Sequence, residues 1–190
     1  MNINSVLPNL SVRSIIDAIL APDCPQVFPS VMWSGGYGSG ILSGPTYPSW
    51  GSNPCQLQKL QQILGALSTL LGPLPRRGQL DLLNEIVVTF VPNQGETTIT
   101  LLEAAIIMRW PGLVAQLLIM GASSNVSTSG VSLVFQLYEA LPFDYQRGNG
   151  QDTQAIIDLL LQSGSYVPPG FPGTQGYLIP GSVHRRRNHL

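Results

Sequence analysis

"TLLEAAIIMRWPGLVAQLLIMGASSN", residues 100–125, carries the clearest pattern in this chain of 190 residues. The pattern predicts two helices joined by a short break. Pro111 suits the first turn of the second helix, because its missing N–H would have no intrahelical partner there. Gly121 is a favourable helix stop, since glycine adopts the left-handed conformation at little cost. Ala105 would let the two helices approach closely, so the stretch predicts a helical hairpin.

The same stretch resembles an ankyrin repeat, which has a Thr-Pro-Leu-His turn, two helices and a closing Gly-Ala followed three residues later by Asn. Thr100 and Leu102 match the turn, while Leu101 and Glu103 stand where the family prefers Pro and His. The replacement of Pro and His implies that the family's usual turn-stabilising hydrogen bonds are lost. The spacing from Thr100 to the closing glycine equals the family's without a gap. The remaining matches are Ala105, Leu113, Val114, Leu117, Leu118, Gly121, Ala122 and Asn125.

A degraded second copy follows, with Ser132 and Val134 at its turn and Gly164 closing its second helix. We expect an expansion between its two helices, at roughly residues 140–153. Ankyrin arrays need about three stacked units to bury a continuous core. Residues 55–88 are therefore interpreted as a divergent capping helix pair, unless the array is incomplete.

Three further helices are predicted from apolar residues at helical spacing: residues 11–21 behind a capping Ser11, residues 55–71 with one leucine face, and residues 79–88. The stretch "VTFVPNQGETTIT", residues 88–100, places β-branched residues on both sides of a turn signal. It predicts a hairpin-like loop that projects between helices.

The expected fold is all-α: a short ankyrin-like stack of helical hairpins with irregular extensions. We divide the chain into an N-terminal helix (1–21), an irregular segment (22–54), a helical domain (55–165) and a turn-rich tail with a basic end (166–190). In the irregular segment, 18 of 33 residues are Gly, Pro or Ser. Its aromatic residues leave two interpretations open, a disordered arm and a segment that wraps back over the helical body.

Composition excludes several classes of protein. Charged residues make up 10% of the chain, against about 25% in a typical soluble domain. The net charge of −1 does not favour nucleic acid as a partner, and no apolar run is long enough to span a membrane. Cys24 and Cys55 are interpreted as ordinary thiols of a reducing compartment. With no recognisable secretory signal, we expect a cytoplasmic protein, and Arg185, Arg186 and Arg187 leave a nuclear address open.

No arrangement of residues indicates catalysis. The two histidines, His184 and His189, both lie in the tail, and no Cys or His occurs at a zinc spacing. "GGYGSG", residues 35–40, lacks the Gly-Lys-Ser/Thr ending of a phosphate-binding loop. We therefore expect no enzyme, no cofactor and no metal site.

The resemblance implies a protein–protein interaction module whose partner contacts lie in the loops between repeats. For Trp110, packing against the neighbouring unit is an equal alternative, and Arg109 is interpreted mainly as a surface residue. Two other functions stay open: a small-molecule binder or enzyme built on residues 28–51, and a fragment of a larger ankyrin protein. The candidate contacts are Asn93, Gln94, Glu96, Thr97, Thr98, Arg109, Trp110, Ser127, Thr128 and Ser129.

Overall fold

A computed structural model describes residues 10–21, 54–91 and 95–167 of the chain. Within these ranges the chain forms seven helices and two strands. In chain order they are α1 (Val12–Leu20), α2 (Pro54–Leu71), α3 (Arg76–Leu83), β1 (Val87–Val91), β2 (Gly95–Ile99), α4 (Leu101–Ile107), α5 (Pro111–Met120), α6 (Leu133–Gln146) and α7 (Gly150–Gln162).

The all-α prediction is wrong, because residues 87–99 form a two-stranded antiparallel sheet. The predicted hairpin-like loop is in fact a regular β-hairpin. Its strands are in register over five residue pairs, from Val87 with Ile99 to Val91 with Gly95. The fold is therefore mixed: mostly helical, with one small sheet inserted between α3 and α4.

Helix ends follow the local sequence closely. Ser11 caps α1, accepting a hydrogen bond from the backbone N–H of Ser14. Thr100 caps α4 in the same way through Glu103, and in both helices the third residue bonds back to the cap. Gly121 ends α5 in the left-handed conformation, with φ +108°. The Ser11 cap and the Gly121 helix stop confirm the predictions from sequence, since each depends on residues within one turn.

Two predicted elements differ from the structure. The helix expected at residues 79–88 spans Arg76–Leu83, because the β-branched Val87 and Val88 continue into the hairpin instead. The expansion expected at residues 140–153 is mostly helical: α6 continues to Gln146 and α7 begins at Gly150. The two helices are thus longer than expected, and only a three-residue turn, residues 147–149, separates them.

All the described elements share one hydrophobic core. α1 packs against α2, α4 and β1, and α5 packs against α7. The inward face of α1 carries Ile15, Ile16 and Ile19, each no more than 1% exposed. The N-terminal helix is therefore part of the main core, although more than thirty residues separate it from α2.

The cysteine prediction also needs correction. Cys55, in the first turn of α2, is disulfide-bonded and is therefore not a free thiol. Cys24, the other cysteine of the chain, lies outside the described residues. Because disulfides persist mainly in oxidising compartments, cysteine usage no longer supports a reducing one.

Candidate partner-binding site

The β-hairpin presents one buried face and one exposed face. Its register pairs Val88 with Thr98 and Phe90 with Glu96. These four exposed side chains form what we call the outer face of the hairpin. The exposed fraction is 69% for Phe90 and 46% for Val88, and Ile86, two residues before Val88, is 56% exposed. The inner face consists of the side chains that point to the core, among them Thr89, Val91 and Ile99.

Contacts with α1 hold the hairpin in place. The buried Thr89 donates a hydrogen bond from its hydroxyl to the Asp17 carboxylate on α1. Val91 and Ile99, each at most 4% exposed, add apolar contact with the core. The hairpin is therefore a fixed platform, and its outer face is presented in a defined orientation.

A buried carboxylate ties the start of α4 to the loop after α5. Glu103 is 7% exposed. One of its oxygens accepts the Thr100 backbone N–H at 2.9 Å, and the other accepts the backbone N–H and the hydroxyl of Thr128 at 2.8 and 2.9 Å. Glu103 itself thus supplies hydrogen bonds that hold this turn. Thr128, proposed from the sequence as a partner contact, is engaged within the molecule.

We expect Glu103→Gln to lower the free energy of unfolding by about 1 to 3 kcal/mol. Both carboxylate oxygens of Glu103 accept a backbone N–H, but a glutamine amide has only one oxygen that can accept. One buried donor then faces the NH₂ group without a partner. Urea denaturation measures the loss, and faster hydrogen exchange at the Thr128 amide locates it.

Glu139→Gln on α6 is the matched control, because that side chain is exposed. Its effect should stay within about 0.5 kcal/mol. Equal stability of the two variants would show that the Glu103 hydrogen bonds contribute nothing to the fold.

An ion pair joins the turn after α4 to the end of α6. Arg109 Nε lies 2.8 Å from Asp144 Oδ2, and the two side chains are 19% and 7% exposed. The same carboxylate oxygen accepts the Thr153 hydroxyl at 2.7 Å. Arg109 adopts φ +52°, and its guanidinium also donates to the Ile106 carbonyl. Arg109 is thus a structural ion-pair partner and not mainly a surface residue.

Trp110 follows this pair and is 3% exposed. Its backbone N–H donates to the Ala105 carbonyl, and its carbonyl accepts from Val114 in α5. Burial supports the packing alternative for Trp110. Its side chain offers a partner almost no surface in this conformation.

Ser127 and Ser129 lie in the loop before α6 and are fixed by one glutamine. Gln136 Nε2 donates to the Ser127 hydroxyl at 3.2 Å, to the Ser129 hydroxyl at 2.9 Å and to the Val131 carbonyl at 2.8 Å. The two serine hydroxyls are themselves 3.0 Å apart. Sequence reasoning did not single out Gln136, which acts from the first turn of α6 on the loop before it.

Hydrogen bonds also connect the ends of successive helical pairs. Asn84, after α3, accepts the Ser123 backbone N–H at 2.7 Å. Asn125, after α5, accepts the Tyr166 backbone N–H at 2.6 Å and donates to the Gly164 carbonyl at 3.4 Å. Two asparagines therefore link three chain turns, those after α3, α5 and α7.

The predicted contact residues are distributed over three places. Glu96 and Thr98 lie on the outer face of the hairpin, Thr97 is partly buried between them, and Asn93 and Gln94 fall outside the described residues. Ser127 and Ser129 take part in the hydrogen bonds with Gln136, and Arg109 takes part in the ion pair with Asp144. Phe90 and Val88 are surface residues that sequence reasoning missed, because alternation alone does not say which face of a two-stranded hairpin is buried.

The remaining expectations concern metal ligands, membrane-spanning helices and the segments outside the described ranges. In the described part of the chain, no three His, Cys, Asp or Glu side chains are grouped as metal ligands. None of the helices described there has both the length and the hydrophobicity needed to cross a bilayer. The histidines, the arginine cluster and the alternative site at residues 28–51 lie outside the described ranges.

No protein-family model, curated protein or solved structure matches this chain. Its function must therefore be inferred from the described residues themselves.

Proposed function

We propose that this chain is a non-catalytic protein-interaction module, built as a short ankyrin-like array, that binds another protein through the outer face of its hairpin. Arrays of this kind present projecting loops on a rigid stack of helices. The partner is expected to cover Phe90 and Val88 and to hydrogen-bond with Thr98 or Glu96 at the edge.

The observation that carries this proposal is the exposure of Phe90. A phenylalanine that is 69% exposed keeps a large apolar surface in water, with Val88 on the same strand and Ile86 directly before the strand also exposed. Contiguous apolar surface of this kind marks interaction sites in soluble proteins, and aromatic side chains often dominate the binding energy. The opposite face of the hairpin is already buried, so the exposure belongs to one face only.

Four local features support the ankyrin-like class. Thr100 caps α4 at the position of the family's turn threonine, and Gly121 ends α5 with a positive φ. Glu103, at the family's histidine position, bonds to the following loop through Thr128. Gly164 closes the second hairpin, also with a positive φ of 86°.

The test is affinity capture from the source cell with the full chain and with Phe90→Glu. A hot-spot residue contributes about 2 kcal/mol or more, which corresponds to about a 30-fold change in affinity. We expect the yield of specific partners to fall accordingly with Phe90→Glu, and direct titration of a recovered partner measures the factor. Because Phe90 is exposed, the variant should keep its helical circular dichroism.

Phe143→Glu is the matched control. Phe143 is 57% exposed and directly precedes Asp144, which pairs with Arg109 after the C-terminal end of α4. The hairpin joins the N-terminal end of α4, so Phe143 lies away from it. Unchanged recovery with Phe90→Glu, or equal losses with both variants, would remove the hairpin from the binding surface.

A further inference from the structure

Asn125 lies in the loop between α5 and α6 and begins the tripeptide Asn125-Val126-Ser127. Asparagine, any residue except proline, then serine or threonine is the acceptor pattern for N-linked oligosaccharides. The Asn125 residue is exposed, whereas Ser124 directly before it is buried. The acceptor asparagine is therefore at the surface, where a bulky sugar chain can be accommodated.

The hydrogen bonds of the Asn125 side chain are compatible with a sugar on its nitrogen. Within the described ranges, its Oδ1 accepts the Tyr166 backbone N–H at 2.6 Å and its Nδ2 donates to the Gly164 carbonyl at 3.4 Å. The Nδ2 of an asparagine carries two hydrogens, and a glycosidic bond replaces only one of them. The linked amide keeps its oxygen and one N–H, which are the two groups that these hydrogen bonds require.

Two observations away from this loop agree with such a modification. Cys55 is disulfide-bonded, and disulfides persist mainly in the oxidising compartments that secreted proteins pass through. N-linked oligosaccharides belong to the same class of proteins. Charged residues make up 10% of the chain, so few of its own side chains hydrate the surface, and an oligosaccharide is strongly solubilising.

We propose that Asn125 is a glycosylation site and that its Nδ2 carries an N-linked oligosaccharide. The donor is an oligosaccharide joined to a lipid pyrophosphate. Nδ2 forms a bond to the anomeric carbon of the first sugar, and the bond from that carbon to the pyrophosphate oxygen breaks. One Nδ2 proton passes to a base of the transferase, and the lipid pyrophosphate leaves. The site lies in a loop separate from the hairpin and is independent of the partner proposed for it.

Peptide mapping of the full chain purified from its source cell tests the proposal. Peptide-N-glycosidase removes the sugar and converts the glycosylated asparagine into aspartate, so in heavy-oxygen water it labels the former site. We expect the label at Asn125 and faster migration of the treated protein in a denaturing gel. Unchanged migration together with an unmodified Asn125 peptide would overturn the proposal.

Variants expressed in the same cell separate the modification from the fold. Asn125→Gln should abolish the label, but it also changes a side chain that bonds to Tyr166. Ser127→Ala leaves the Asn125 side chain in place and removes the hydroxyl that the acceptor pattern requires, so it should abolish the sugar as well. Ser127→Thr keeps a hydroxyl and should keep the sugar. A Ser127→Ala protein that carries the same sugar mass as the wild type would contradict the proposal.

Asn9→Gln is the matched control, because Asn9-Leu10-Ser11 has the same acceptor pattern. This variant should retain the label at Asn125. Label at Asn9 alone in the wild-type chain would show that the sugar is attached elsewhere and would remove the assignment to Asn125.

Discussion

Replacing Arg109 by alanine is expected to lower the free energy of unfolding by about 3 to 5 kcal/mol, the cost of leaving a buried charge without its counter-ion. The Asp144 carboxylate is 7% exposed and would keep only the Thr153 hydroxyl as a side-chain donor. A domain of this size is stable by about 5 to 15 kcal/mol, so the loss is a large fraction of the total. Urea denaturation monitored by circular dichroism measures it.

Two further variants separate the causes. Adding Asp144→Asn to Arg109→Ala removes the unpaired charge and should recover part of the loss. Arg109→Gly loses the same ion pair but relieves the positive φ of 52°, and it should be more stable than Arg109→Ala by about 1 kcal/mol.

The exposed ion pair of α1 provides the control. Arg13 and Asp17 are 4.0 Å apart with side chains 66% and 53% exposed, so Arg13→Ala should cost at most about 1 kcal/mol. If Arg109→Ala costs no more than Arg13→Ala, the buried pair does not hold the end of α4 to α6.

Ile16→Ala is expected to destabilise the whole fold by about 2 to 5 kcal/mol, since it removes buried carbon atoms and leaves a cavity. Ile16 is 0% exposed on α1, which packs against α2, α4 and β1. Because the described elements share one core, unfolding should remain a single transition shifted to lower urea concentration. Circular dichroism and tryptophan fluorescence should report the same midpoint.

Ile119→Ala makes the same chemical change at a residue that is 76% exposed on α5, and it should alter stability by less than about 0.5 kcal/mol. A second transition in Ile16→Ala, or loss of α1 alone, would show that the N-terminal helix is an appendage rather than part of the core.

The sequence determined those features whose cause lies within one helical turn. Ser11 and Thr100 cap α1 and α4 because each hydroxyl accepts from a backbone N–H three residues later. Gly121 ends α5 because only glycine adopts a positive φ there without strain. The hairpin turn signal was equally local, and the structure places the strands on either side of it.

Tertiary structure decided the features that depend on distant neighbours. Val87 fits the apolar pattern of a helix, but packing of β1 on α1 makes it part of a strand. Glu103 bonds to a threonine 25 residues away, and Arg109 pairs with a carboxylate 35 residues away. Neither partner can be read from local spacing.

The same limit applies to the candidate binding surface. Trp110 and Phe90 are both aromatic residues in an apolar context, yet one is 3% exposed and the other 69%. Sequence periodicity indicates which residues share a face of a helix or strand. Whether that face is buried depends on the neighbouring element that covers it. Local residues thus set the start of α1 and the end of α5, while long-range packing determines which aromatic side chain stays exposed.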